Sequence, residues 1–230
     1  IVTLWWSPIP RYDALLVLCL LAQVVLIWTK LETISELKMI CAFHLAGLAL
    51  ELFKVHHGSW TYPGSAYSKI AGVPLFSGFM YASIASYMIQ AWRRFDLRFT
   101  GFPRWSAVTA VGLGIYANFF LGRYLGDQRV WIAPLVLVVF CRSWAHFRPE
   151  SDGPVRRMPM VVAFVLIGFF VWIAEHICTY LQLWQYPNQV IGWQPVTLSK
   201  LGSWCLLVIV SFFLVAATKR ETITRLSKLP

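Results

Sequence analysis

The sequence predicts an all-α fold: a polytopic transmembrane bundle of about seven helices with a parallel internal repeat. Of its 230 residues 58% are hydrophobic and 13% charged, roughly half the charge of an average soluble domain. Twelve Trp, nine Tyr and sixteen Phe suit the aromatic belts of a protein that crosses a bilayer several times. One pattern, Glu-x8-Trp-x-Tyr-Pro, occurs twice with identical spacing, at Glu51 to Pro63 and at Glu175 to Pro187. Each copy is followed by a second shared signature, Ser68-Lys69-Ile70 and Ser199-Lys200-Leu201, so an internal repeat is the simplest reading.

A bilayer-crossing helix needs about 17 to 25 apolar residues. Such runs extend from Tyr12 to Trp28, Leu37 to Val55, Val73 to Trp92, Trp105 to Leu121, Val130 to Phe147, Pro159 to Leu181 and Leu201 to Thr218. Gly58, Pro63 and Gly64, Gly101 and Pro103, Gly122 and Gly126, Pro149, Gly153 and Pro154, and Pro187, Gly192 and Pro195 punctuate the connections, as helix breakers do. The chain 1–230 reads as a single membrane domain, with repeat copies near residues 37–92 and 159–218. Small residues at packing intervals, Gly112 with Gly114 and Ala82 with Ala85, mark helix contacts.

By magnitude alone the net charge of +10 suits a nucleic-acid partner. The basic residues, however, lie in short segments between apolar runs, so no nucleic-acid partner is expected and the charge reads as topology. Lys30, Lys38, Arg93, Arg94, Arg98, Arg104, Arg142, Arg148, Arg156, Arg157, Lys219, Arg220, Arg225 and Lys228 fall on one side. Arg11, Lys54, Lys69, Arg123, Arg129 and Lys200 fall on the other. Fourteen against six puts the N-terminus outside, the C-terminus in the cytoplasm and both Trp-x-Tyr-Pro loops on the outer side. The flanking helix pairs then run in the same sense, which makes the repeat parallel. Cys19, Cys41, Cys141, Cys178 and Cys205 lie within the apolar runs without zinc spacing and read as free thiols. The chain begins Ile-Val-Thr without Met, so a further N-terminal segment is expected to precede it.

Two acids stand inside these spans. Glu51 and Glu175 are candidate catalytic residues, because a carboxyl within a membrane is costly and usually faces the bundle interior. Burial favours its neutral form and makes it a competent proton donor. The bland alternative pairs Glu51 with Lys54 and hydrogen-bonds Glu175 across the bundle. His44 lies two turns before Glu51 on the same helical face and is read as substrate-binding. So are Trp60, Tyr62, Trp184 and Tyr186, although interfacial anchoring alone explains those residue types. Pro63 and Pro187 push the preceding Tyr into extended geometry, which folds an aromatic back over the helix end bearing the acid. An acid beside aromatic faces can protonate an alkene and shelter the resulting cation. Lys69 and Lys200 are substrate-side candidates too, as partners of the two acids, with snorkelling as the bland reading. Arg142 and His146, four apart on one face of the fifth span, read as snorkelling or bundle contacts, and Asn118 as a bond to a neighbouring helix. No metal site and no cofactor are expected.

Over Glu51 to Tyr81, with His56-His57-Gly58-Ser59-Trp60-Thr61-Tyr62-Pro63 and Gly72-Val73-Pro74-Leu75-Phe76-Ser77-Gly78-Phe79-Met80-Tyr81, the chain resembles a bacterial family of integral membrane proteins known as domain of unknown function 817. The resemblance covers most of the chain, includes the Ser-Lys-Leu-Gly of the last span and implies a multi-pass protein of the bacterial inner membrane. A looser likeness, carried by Glu51, Tyr62 and Val73-Pro74-Leu75, is to membrane-integral carotenoid hydratases and lycopene cyclases; their Phe-Gly-x-Tyr element is replaced here by Gly58-Ser59-Trp60-Thr61-Tyr62-Pro63. The leading expectation is an intramembrane acid/base enzyme acting on a prenyl or carotenoid-type lipid, with its site between the second, third, sixth and seventh spans. The alternatives are a lipid- or pigment-binding accessory subunit of a larger membrane complex, and a small transporter.

Overall fold

The computed structural model describes residues 9–150, 153–219 and 223. The start of the chain and Arg220, Arg225 and Lys228, used in the topology reading, lie outside them. In order come α1 (Arg11–Trp28), α2 (Ile34–His56), β1 (Lys69–Ile70), β2 (Val73–Pro74), α3 (Ser77–Arg94), β3 (Arg98–Thr100), α4 (Trp105–Leu125), α5 (Arg129–Phe140), β4 (Trp144–Phe147), β5 (Arg156–Pro159), α6 (Met160–Tyr180) and α7 (Leu198–Thr218). The fold is helical, as expected, and α1, α2, α4, α6 and α7 are long and apolar enough to cross a membrane.

Local chemistry sets several boundaries. Thr33 and Glu36 form a reciprocal capping box at the start of α2, with Glu36 N donating to Thr33 Oγ1 at 3.2 Å and Thr33 N to Glu36 Oε2 at 2.8 Å. The chain leaves α4 through Gly126 at φ +77°, a conformation that glycine adopts without a side-chain penalty. Ala71 and Gly72, both at positive φ, make the two-residue turn that joins β1 to β2, the geometry that matches the twist of a hairpin. That hairpin corrects the expected start of the third span: Val73 and Pro74 are strand, and the helix begins at Ser77.

The fifth span is corrected more strongly. α5 has 12 residues with Pro134 inside, about 18 Å of helix at 1.5 Å per residue, too short for a hydrocarbon core of about 30 Å. It stops because the chain turns at Cys141 and Arg142 and enters β4, which pairs antiparallel with β3 and β5. Arg142 and His146 therefore share no helix face: one lies in the turn and the other on β4. Gly101 makes the approach possible, with φ +62° and a Cβ position that would collide with the Arg142 carbonyl oxygen. Ser143 Oγ donates to the Gly101 carbonyl at 2.9 Å.

The chain divides into two compact units, one of Ile1–Tyr87 with Ala174–Val196 and one of Met88–Ile173 with Thr197–Pro230. The second unit is packed by aromatic rings. Phe140 stacks on Phe213 at 5.5 Å, and Phe212 meets Trp92 at 6.0 Å, Phe99 at 5.4 Å and Phe164 at 5.4 Å. Lipid tails are as apolar as these side chains, so shape-matched packing rather than water exclusion holds such helices together. Glycines allow the closest approaches: a Cβ on Gly168 would stand 2.7 Å from Cys205 Sγ, and one on Gly112 3.1 Å from the Phe213 ring. Gly114, expected to do the same, has open space. Asn118 accepts from the backbone N–H of Gln128 at 2.9 Å, bonding the connection into α5. All five cysteines are free thiols, and Cys141 lies just beyond α5 rather than inside a span.

Candidate functional site

The first unit is built around its buried acids. Glu51 stands in the last turns of α2 at 2% exposure, and both carboxylate oxygens are engaged. Oε2 accepts from the Trp60 indole N–H and the Tyr62 hydroxyl, each at 2.8 Å, and Oε1 from the Tyr81 hydroxyl at 2.8 Å. The Trp60 and Tyr62 rings reach back across the loop to the helix end. Their backbone follows the kink before Pro63, which disfavours helix and extends the preceding residue. Lys54 is not a partner of this carboxylate; three aromatic donors are.

Tyr81 is the donor that sequence reasoning missed. It arrives because α2 and α3 cross through two glycine notches. A Cβ on Gly47, one turn before Glu51, would stand 2.6 Å from Tyr81 Cβ and closer still to its ring, so the ring lies flat on bare backbone. A Cβ on Gly78 of α3 would stand 2.7 Å from the His44 backbone oxygen and imidazole. His44 shares the face of α2 that meets α3, as its spacing indicated, but it packs against Phe79 with ring centroids 4.5 Å apart and makes no bond to Glu51. The available signal for Tyr81 was a small residue four positions before the acid, the spacing at which a partner ring can settle beside it.

The second copy repeats the reach at the same offset. Glu175, also 2% exposed, accepts from the Tyr186 hydroxyl eleven residues on, as Glu51 does from Tyr62. Tyr186 is extended, at φ −79° and ψ 156°, where the chain enters a 3-10 turn at Pro187–Gln189. Trp184 differs from Trp60: it faces the Tyr186 hydroxyl. The two loops join directly, with Thr61 and Gln185 exchanging backbone N–H···O bonds at 2.9 Å each way. These are equivalent positions of the two motifs. Trp60 lies edge-on to Tyr186 at 6.1 Å.

Tyr12 of α1, 0% exposed, fastens the same pair of loops: its hydroxyl donates to the Leu183 carbonyl at 2.8 Å and accepts from Gly64 N at 3.3 Å. Asp13 accepts from Tyr67 N, Ser68 N and Ser68 Oγ at 2.5 to 2.9 Å. Neither residue was singled out in the sequence. Burial first, and the neighbouring carboxylate second, push the Tyr62 and Tyr186 hydroxyls well above the ordinary phenol range, so both remain donors across the physiological range.

The expected pairing of Lys69 with Glu51 takes a different form. Lys69 Nζ donates to the carbonyls of Tyr62 at 2.7 Å and Gly64 at 2.5 Å and sits 5.3 Å over the Tyr12 ring. It pins the loop that carries Tyr62 rather than meeting Glu51. Lys200 lies in the first turn of α7, in the other unit. The structure therefore brings Glu51, Trp60, Tyr62, Glu175, Trp184, Tyr186, Lys69 and His44 into one unit and leaves Lys200 outside it. α7, expected to contribute to the site, belongs with Lys200.

A solved structure described as the cross-linked MvINS trimer aligns with a TM-score of 0.53 at 15% identity, covering 86% of this chain and 97% of that one, a likeness of fold. The uncharacterized protein YoaT of Bacillus subtilis (strain 168) is 52% identical over 212 residues, 92% of this chain and 80% of its own length. The family described as Protein of unknown function (DUF817) matches residues 1–212, and the chain belongs to it.

Proposed function

We propose that this chain is a multi-pass protein of the bacterial inner membrane that binds a long apolar lipid of the isoprenoid or pigment class without transforming it, as an accessory subunit of a larger membrane complex. The observation that carries this reading is the state of Glu51: 2% exposed, with both oxygens accepting from the chain's own Trp60, Tyr62 and Tyr81. A general acid or base must place an oxygen within hydrogen-bond reach of its substrate. Here the carboxylate instead fixes three aromatic rings, of which the half-buried Trp60 offers the rigid apolar surface that such a ligand needs. The excess of Lys and Arg on the opposite side supports outward-facing motif loops. The reciprocal Thr61–Gln185 pair supports a parallel repeat, since a two-fold axis along the membrane normal brings equivalent outer residues face to face.

Mass spectrometry of the lipids that co-purify with the protein, before and after prolonged incubation, tests the proposal. One isoprenoid or pigment species should be recovered unchanged, and lost from a Trp60→Ala, Trp184→Ala double variant. Recovery of a chemically altered lipid would refute it.

Acid/base catalysis is the second reading, favoured by the edge contact of Trp60 with Tyr186, which joins both carboxylates through one aromatic cluster. Glu51 and Glu175 then act as acid and base, and Trp60, Tyr62, Trp184 and Tyr186 stabilise developing positive charge. In that case Glu51→Gln keeps the bound lipid and stops its conversion.

A further inference from the structure

The three-stranded sheet of the second unit is one-sided. β4 is its centre, and the register sets Arg98 opposite His146 and His146 opposite Arg157, a basic row across all three strands. Alternation along a strand puts Thr100, Trp144 and Pro159 on the same face as that row. The other face carries Phe99 and Ala145, both buried, with Met158 beside them in register.

Arg98 and Arg157, both exposed, flank His146 from the two outer strands. The ion pair of Arg98 with Asp96 at 2.8 Å is more than half exposed on both sides, so it offsets little. Arg94, Arg104, Arg142 and Arg148, near the strands in sequence, are exposed as well, as is the acid Glu150. Two side chains order the surface: His146 Nε2 bonds Thr100 Oγ1 at 2.9 Å, and the Arg157 guanidinium lies 5.1 Å over the Trp144 ring.

The sheet's strands lead into and out of helices. β5 runs directly into α6, and β3 precedes α4 by a few residues; both helices are long and apolar enough to cross a membrane. A sheet at their first turns stands at the depth of lipid headgroups. Arg98 and Arg157 are two strand spacings apart, roughly 10 Å, the width of one headgroup, and guanidinium forks fit phosphate oxygens. Trp144 adds the ring type that favours this depth. We propose that this face binds the phosphate of an anionic phospholipid, with Arg98, His146 and Arg157 as its cross-strand row and Trp144 beside it.

The test is native mass spectrometry of the full chain with equal amounts of phosphatidylglycerol and phosphatidylcholine. Wild type should retain phosphatidylglycerol preferentially. Lys38→Gln, a change of an exposed lysine in the other unit, should leave that preference intact. Each basic side chain removed from the row should weaken retention about fivefold, and Arg98→Gln with Arg157→Gln about twenty-five-fold. Equal retention of the two lipids by wild type overturns the proposal and needs no variant to fold. So does full displacement of phosphatidylglycerol by millimolar inorganic phosphate, which would make the face a site for free anions.

Discussion

Gly47→Ala is the most informative single change, because it tests the crossing that delivers Tyr81 to Glu51. The added methyl would sit 2.6 Å from Tyr81 Cβ and nearer still to the ring, and the ring cannot swing aside without withdrawing its hydroxyl from Glu51 Oε1 at 2.8 Å. Overpacking of this kind costs about 1–3 kcal/mol. Losing a hydrogen bond to a charged group costs about 1.5–3 kcal/mol. Alanine's advantage over glycine in a helix returns about 1 kcal/mol. The expected net loss is about 3 kcal/mol, read as a lower midpoint of unfolding in detergent. A double-mutant cycle isolates the cause: in a Tyr81→Ala background, where no ring fills the notch, Gly47→Ala should be neutral or stabilising. A Gly47→Ala protein as stable as wild type, or penalties that simply add in the double variant, would refute the argument.

Tyr62→Phe and Tyr186→Phe should each cost about 1.5–3 kcal/mol, because each leaves a buried carboxylate short of a donor; the same unfolding assay measures both. Their hydroxyls titrate higher in the folded state than in the unfolded one. The stability they contribute is therefore complete below about pH 10 and lost as pH rises through their folded values, so a wild-type stability profile that falls between pH 7 and 9 through tyrosine ionisation would contradict it. Gly101→Ala forces a side chain onto φ +62° against the Arg142 carbonyl, and amide exchange across 98–100 and 144–147 should accelerate while α1 and α2 stay protected.

The parts of the fold legible in sequence were those set by long apolar runs and by short-range punctuation. α1, α2, α4, α6 and α7 follow from them within a few residues. The fifth and third spans were misjudged for one reason: the apolar residues at Val73 and at 144–147 pair as strands, and a short apolar run does not distinguish strand from helix. The site divides along the same line. The reach of Tyr62 to Glu51 and of Tyr186 to Glu175 is local in the chain, eleven residues in each case, and the repeated spacing announced it. Tyr81 lies 30 residues from Glu51 and Tyr12 lies 171 from Leu183; contacts at such separations depend on how helices cross, which periodicity does not specify.

The two Glu-x8-Trp-x-Tyr-Pro motifs also differ in their surroundings. Aligning Glu51 with Glu175 sets Val171 where the first copy has Gly47, and aligning Ser68-Lys69 with Ser199-Lys200 sets Phe212 where it has Tyr81. The notch and the phenol that fills it are thus both absent beside the second motif: a valine leaves no room for a flat ring, and a phenylalanine has no hydroxyl to deliver. What the two copies keep is the local brace, an acid held by the tyrosine before a proline. What the structure adds at Glu51 is Tyr81, a donor supplied across a helix crossing. Any role that requires two unlike carboxylates, whether one that braces and one that binds or one acid and one base, finds the distinction at the α2–α3 crossing.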